Sequence, residues 1–247
     1  MYGNDSTATV GWLPYLTIQS ALAAIQSGQQ IHVLPGTYTF TGTLPSGVVL
    51  QGRPPCILQY TATSPTTMIT MGEYSLLENF TINLSTAHVT LTGILFPTTT
   101  TTAQLVNVHL TVQNNTASST GTSNVTGIQC NGTGGLLITS FAWNSIQSST
   151  INVLSNGGGN KRGILISNSN IVSTQDTNVY VAALASTSTG SYVGVETNDS
   201  NNTGSIQMTF YNGSVDLSTG DKLHVHVSFT GGNSNATHDL TVQLDLF

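Results

Sequence analysis

The chain has 247 residues, of which 38% are hydrophobic and only 6% charged, with a formal net charge of −6. Apolar residues at that level, in short β-branched bursts, exclude a disordered chain and suffice for a sizeable core. Four Lys and Arg residues in all leave no footprint for a phosphate backbone or an anionic lipid surface, and no apolar run approaches the roughly 18 residues of a membrane span.

The composition, rich in Ser, Thr, Asn and Gly, predicts an all-β protein short of helix. The N-terminus lacks the basic and apolar regions of a secretory signal, so either a signal has been removed or that route is not used. Ten Asn-x-Ser/Thr triplets occur between Asn4 and Asn235, a number that so Asn-, Ser- and Thr-rich a chain generates by chance. Two cysteines, Cys56 and Cys130, do not make a disulfide framework and are expected as buried free thiols.

The first element is a helix within Thr17 to Gly28. Ile18, Ala21, Leu22 and Ile25 form one apolar stripe, Thr17 suits the N-cap and Gly28 the C′ position. Ile31 and Val33 then alternate with His32, Pro35-Gly36 turns the chain, and Tyr38, Phe40 and Val48 to Leu50 predict further short strands. A single helix ahead of stacked strands covers an edge that otherwise invites aggregation. The stretch "TIQSALAAIQSGQQIHVLPGTYTF...LPSGVVLQG" resembles the start of pectin-lyase-like right-handed parallel β-helix proteins. The resemblance covers about the first fifty residues and implies a fold; it says little about activity.

Internal repeats support the same architecture. "TGILF" at Thr92, "TGIQC" at Thr126, "RGILI" at Arg162 and "VGVET" at Val193 place glycines at 93, 127, 163 and 194, a solenoid-like period. A second set alternates as strands do: "LENFTINLS" from Leu77, "LVNVHLTVQ" from Leu105, "SSTINVLS" from Ser148 and "SNSNIVS" from Ser167. The stretches 97 to 102 and 114 to 124 between them are expected as projecting loops. The capped coil is assigned to residues 1–208.

Residues 209–247 follow a different pattern. Leu223, Val225, Val227 and Phe229 alternate, as do Leu240, Val242, Leu244 and Leu246, around a Gly231-Gly232-Asn233 turn. That predicts an antiparallel β tip, and "VDLSTGDKLHVHV" resembles late strands of jelly-roll heads. Together with "NKRGILISNSN" and "GSYVGVETND", the two parts are similar to β-helix proteins of large DNA viruses and phage appendages. This resemblance implies a homotrimeric fibre or spike on a virion surface or outside the cell.

The chemistry that usually accompanies this fold is not apparent. Glycosidic hydrolysis needs two carboxylates acting together, and lyases need acidic residues for calcium plus a base. From Phe80 through Gln175 there is no Asp or Glu. Asp176, Glu196 and Asp199 are expected as solvated loop carboxylates; Glu73 and Glu78 flank "YSLL" without an evident partner for proton transfer. Lys161-Arg162 suits an anionic sugar or a carboxylate on another subunit, against a solvated loop. Trp143 suits a sugar ring, against simple packing. His224 and His226 share a strand face, which the alternation explains without a metal. No catalytic residue, metal or cofactor is expected, and the chain reads as a structural protein that contacts cell-surface glycans. The rival reading is a polysaccharide lyase or glycoside hydrolase with a site late in the coil or between subunits, and a third is a carbohydrate-binding module using Trp143, Tyr180 or Tyr192.

Overall fold

The structure, a computed structural model, describes residues 5–8, 10, 14–86, 89–99, 102–115, 123–131, 144–167, 172–183 and 191–198. Helix α1 (Ile18–Ala24) opens with Thr17 as its N-cap, the Thr17 Oγ1 accepting from the Ser20 N–H at 3.2 Å. Ile18 and Ala21 form its buried face. The helix stops short of the predicted end at Gly28. Ile25 is already extended, because after bonding Ala21 the chain straightens to run into the first strand, and Gly28 instead donates its N–H to the Gly47 carbonyl at 2.9 Å.

Six rungs follow. The first holds β1 (Gln30–Val33), β2 (Gly36–Thr39) and β3 (Gly42–Thr43); the second β4 (Val49–Gly52), β5 (Cys56–Ala62) and β6 (Thr66–Thr70). In the third, β7 (Leu76–Thr86) replaces two strands and β8 (Leu91–Phe96) closes the turn; β9 (Gln104–Asn114) and β10 (Val125–Asn131) do the same in the fourth. The fifth has β11 (Asn144–Gln147), β12 (Thr150–Ser155) and β13 (Lys161–Ser167), and the sixth β14 (Val172–Gln175), β15 (Asn178–Ala183) and β16 (Tyr192–Asn198). Among the described residues every pairing is parallel and joins one rung to the next. One sheet has six strands, β3-β6-β8-β10-β13-β16; the other has ten and bends at a corner into two arms. This is an all-β parallel β-helix with a helix at its N-terminal end.

The bend is made by a column of residues in the left-handed region: Asn79 (φ 63), Asn107 (φ 51), Ser148 (φ 48) and Asp176 (φ 49). Asn and Asp adopt this conformation more readily than other side chains, and the Asn107 amide donates to the Asn79 Oδ1 at 2.7 Å, joining two rungs at the corner.

Inside the coil, like stacks on like. Leu58, Ile82, Leu110 and Ile151 form one buried column and Leu84, Val112 and Val153 another. Full burial of such a side chain stabilises by about 2 kcal/mol, against about 1 kcal/mol net for a hydrogen bond, so the apolar columns set the register. The first repeat set stacks as expected. Ile94, Ile128, Ile164 and Val195 lie above one another, as do Thr92, Thr126, Arg162 and Val193. The glycines of this motif mark the place where the six-stranded sheet comes closest to the second arm. A Cβ on Gly93 would lie 2.6 Å from the Gly127 carbonyl oxygen and 2.8 Å from Val112 Cγ2; on Gly127 it would lie 2.6 Å from both the Gly163 oxygen and Ile151 Cγ2.

The second repeat set stacks only in part. Leu77 to Thr86 and Leu105 to Asn114 are in register, and β12 follows, but the strand above β12 is β15, "NVYVAA", while Val172 at the end of "SNSNIVS" belongs to β14 on β11. The corner column accounts for the slip, since each broken rung divides the run at Ser148 or Asp176. Asn114, expected in a loop, ends β9 and is buried. Cys56 and Cys130 are buried free thiols on different sheets; burial pushes the Cys56 thiol up to about 11 and the Cys130 thiol further still. The predicted tip, residues 209–247, lies outside the described residues.

Two outcomes follow from this packing. Gly127→Ala is expected to cost about 3 kcal/mol of stability, whereas Gly42→Ala, where the new methyl meets only the Phe40 ring at 3.4 Å, stays within about 1 kcal/mol of the parent; denaturant titration measures both. The second concerns Asp5, whose Oδ1 accepts from the Leu16 and Thr17 N–H groups at 2.7 and 3.0 Å while its Oδ2 accepts from the Thr17 hydroxyl at 2.8 Å. Burial opposes its charge, but the bonds from Thr17, Leu16 and Ser20 together outweigh it and hold the carboxyl below its ordinary 3.8. The contribution of Asp5 is therefore complete above that value and lost as pH falls through the lower folded-state value. Protection of the amides at residues 16–20, measured against the intrinsic exchange rate at each pH, is expected to fall over that window in the parent and to stay constant across it in Asp5→Asn.

Candidate functional site

The basic pair and the late carboxylates meet on the last two rungs. Lys161 and Arg162 were expected in a loop; both lie in β13, where alternation sends them to opposite sides. Lys161 occupies an interior column, Leu91–Val125–Lys161–Tyr192, and is buried at 0% exposure. Its stem takes the place of an aliphatic side chain and its Nζ lies 4.5 Å from the centroid of the Tyr192 ring. This corrects both readings of Lys161: the ammonium is neither a solvated loop charge nor a surface contact for an anionic sugar. Tyr192 as its neighbour was not anticipated, although both residues stand two positions before the repeat glycine.

Arg162 faces outward and its Nε donates to the Glu196 Oε2 at 2.5 Å, one rung above. Glu196 is a strand residue in β16 and not a loop carboxylate. The two side chains retain 16% and 22% exposure, so the pair is partly screened and each neutralises the other. An arginine held this way is not a free base, and its carboxylate has no second acid beside it in the ion pair.

The other described carboxylates are held elsewhere. Glu73 accepts from the Thr102 hydroxyl at 2.8 Å, and Glu78 from the Gln51 amide at 2.8 Å, which in turn accepts from Gln30 at 3.0 Å. Asp5 serves the helix cap, and Asp176 stands in the corner column on a different part of the rung from Glu196. Among the described residues no three His, Cys, Asp or Glu side chains come together as a metal site. His109 lies 3.4 Å from the Asn152 amide on the outer face of the second arm. Tyr180 and Tyr192 are exposed at 59% and 38%. Trp143, Asp199, His224 and His226 lie outside the described residues.

No family model matches the chain, and no curated protein matches it. Among solved structures, the pectate lyase Pel9A aligns at 14% identity with a TM-score of 0.34, over 87% of this chain and 76% of its own. Escherichia coli YbhC aligns at 12% identity with a TM-score of 0.34, over 86% and 83%. Likenesses this distant carry neither chemistry nor substrate to this chain, and the β-helix assignment stands on the strand pairing described above.

The ion pair has a measurable consequence. In a double-mutant cycle, Arg162→Met and Glu196→Gln are expected to show a coupling of about 1 kcal/mol that shrinks at about 1 M salt. A coupling of zero at low salt would show that the contact contributes nothing to stability.

Proposed function

We propose that the protein is a structural, non-enzymatic β-helix of the fibre or spike type, assembled as a homotrimer at a virion surface or outside the cell and touching glycans through its outer loops. The observation that carries the non-enzymatic part is the disposition of acid groups. Four of the described carboxylates, Asp5, Glu73, Glu78 and Glu196, are each engaged by a neighbouring side chain of a different rung or segment. Glycosidic hydrolysis needs two carboxyls flanking one bond, a lyase needs acidic residues for calcium plus a base, and the rungs from Phe80 through Gln175 contain no Asp or Glu.

The trimer rests on the scarcity of surface charge, which leaves an isolated coil poorly protected against nonspecific association. The viral setting rests on the resemblance of the repeat and tip segments to appendage proteins, an analogy of fold and not of site. Trp143 remains the candidate sugar platform, and Arg162, engaged with Glu196, meets a ligand only by exchanging that partner.

Purified protein incubated with polygalacturonate and neutral polysaccharides is expected to release neither unsaturated nor reducing ends, while light scattering returns three times the 25.8 kDa chain mass. Turnover of any of these polymers would overturn the non-enzymatic reading, and a stable monomer would overturn the fibre reading.

A further inference from the structure

We infer that Tyr74, at the turn ahead of β7, is the platform of a binding site for neutral sugar rings. The site rests on the reading above that the protein touches glycans, and gives that contact a place and a ligand class. Three observations on the first four rungs lead there.

The first is an aromatic residue where the neighbouring rungs use glycine. The turns ahead of β1, β4 and β7 stack on one another: the Gly28 N–H donates to the Gly47 carbonyl at 2.9 Å and the Gly47 N–H to the Glu73 carbonyl at 2.8 Å, and the strands that follow pair Gln30 with Val49 and Val49 with Leu76. Gly28, Gly47 and Tyr74 therefore share one column, and all three are left-handed, with φ of 84, 72 and 57. Glycine adopts this conformation freely. For a residue with a Cβ it costs free energy, and tyrosine lacks the short polar side chain that lets Asn and Asp tolerate it.

The second is that burial does not offset this cost. Tyr74 is 69% exposed, so its ring contributes little to the core. Backbone strain that packing does not explain marks functional positions, and an exposed aromatic ring offers a flat apolar face on which the C–H face of a pyranose can stack.

The third is what surrounds the ring. Glu73, next to it in the chain, has its Oε1 held by the Thr102 hydroxyl of the following rung at 2.8 Å. Two residues beyond the turn column runs a second one, Gln30, Val49, Leu76 and Gln104, in which Val49 and Leu76 are half-buried and the two glutamines are exposed. A positioned carboxylate and planar amides accept from and donate to sugar hydroxyls, and the two aliphatic side chains extend the apolar strip beside the ring. None of these residues is Lys or Arg, and Glu73 repels a second carboxylate. The site thus fits a neutral hexose or N-acetylhexosamine and disfavours a uronate or a sialylated chain. It suits a protein partner less well, because protein hot spots occupy desolvated pockets, whereas Tyr74 stands exposed on a turn.

Full-length protein applied to immobilised neutral oligosaccharides of hexoses and N-acetylhexosamines, and in parallel to oligogalacturonate and sialylated oligosaccharides, tests the assignment. The parent is expected to hold members of the neutral set only. Tyr74→Ala is expected to weaken that binding about tenfold, the effect of losing one stacked ring, and Tyr74→Phe to keep it within about twofold. Tyr74→Gly is expected to lose binding as Tyr74→Ala does while its denaturation midpoint equals or exceeds that of the parent. Neutral-sugar binding unchanged in Tyr74→Ala, or binding of acidic oligosaccharides alone, would overturn the assignment and leave glycan contact elsewhere on the protein standing. A Tyr74→Gly midpoint well below the parent's would show that packing holds the tyrosine in place, and would overturn it as well. A parent that binds none of these sugars would overturn both the assignment and the glycan-contacting reading on which it rests.

Discussion

The close approach of the six-stranded sheet to the second arm of the other sheet is the constraint on which the coil depends. At the level of Gly93 and Gly127 there is room for a backbone and nothing more, because Val112 and Ile151 fill the opposite side and the carbonyl of the next rung fills the space above. Interiors packed at crystal-like density do not absorb an extra methyl without displacement. One backbone dimension therefore explains why the motif recurs, why it carries glycine and why Ile94, Ile128 and Ile164 stack in register beside it.

Stacking also explains the charge-poor composition. Rungs separated by about 4.8 Å place residues of the same register position in direct contact, and like charges so placed destabilise a sheet. Amides and hydroxyls, which both donate and accept, avoid this. Gln30, Gln51 and Glu78 bond in series up one face, Asn79 and Asn107 bond at the corner, and Asn124, Asn160 and Ser191 bond along the start of the six-stranded sheet. Arg162 and Glu196 meet on a diagonal between rungs, with opposite signs. A surface built this way is neutral and hydroxyl-rich without any catalytic demand, as the fibre proposal requires.

The fold was legible because its tightest constraint leaves a residue-level mark. Glycine before Ile or Val at 93, 127, 163 and 194 repeats at nearly constant spacing, and the apolar alternation around it has a single meaning. The corner column was not legible: Asn79, Asn107, Ser148 and Asp176 share a backbone conformation but three residue types, and the intervals between them vary. That variation displaced the last member of the second repeat set. Lys161 was misplaced for a related reason. A lysine beside "NGGGN" reads as a loop charge, and only its register with Val125 puts it in the interior, where its four-carbon stem matches the column.

From the third rung onward the bend between the two arms occupies one or two residues, whereas the other connections range widely, ten residues from Asn115 to Asn124 against five from Asn156 to Asn160. Length variation is thus channelled to two edges of a three-sided prism while the remaining edge stays closed. Foreign peptides grafted into such a rod would project from those two edges at multiples of a fixed vertical step, which makes the coil a ruler along which ligands can be displayed at chosen separations.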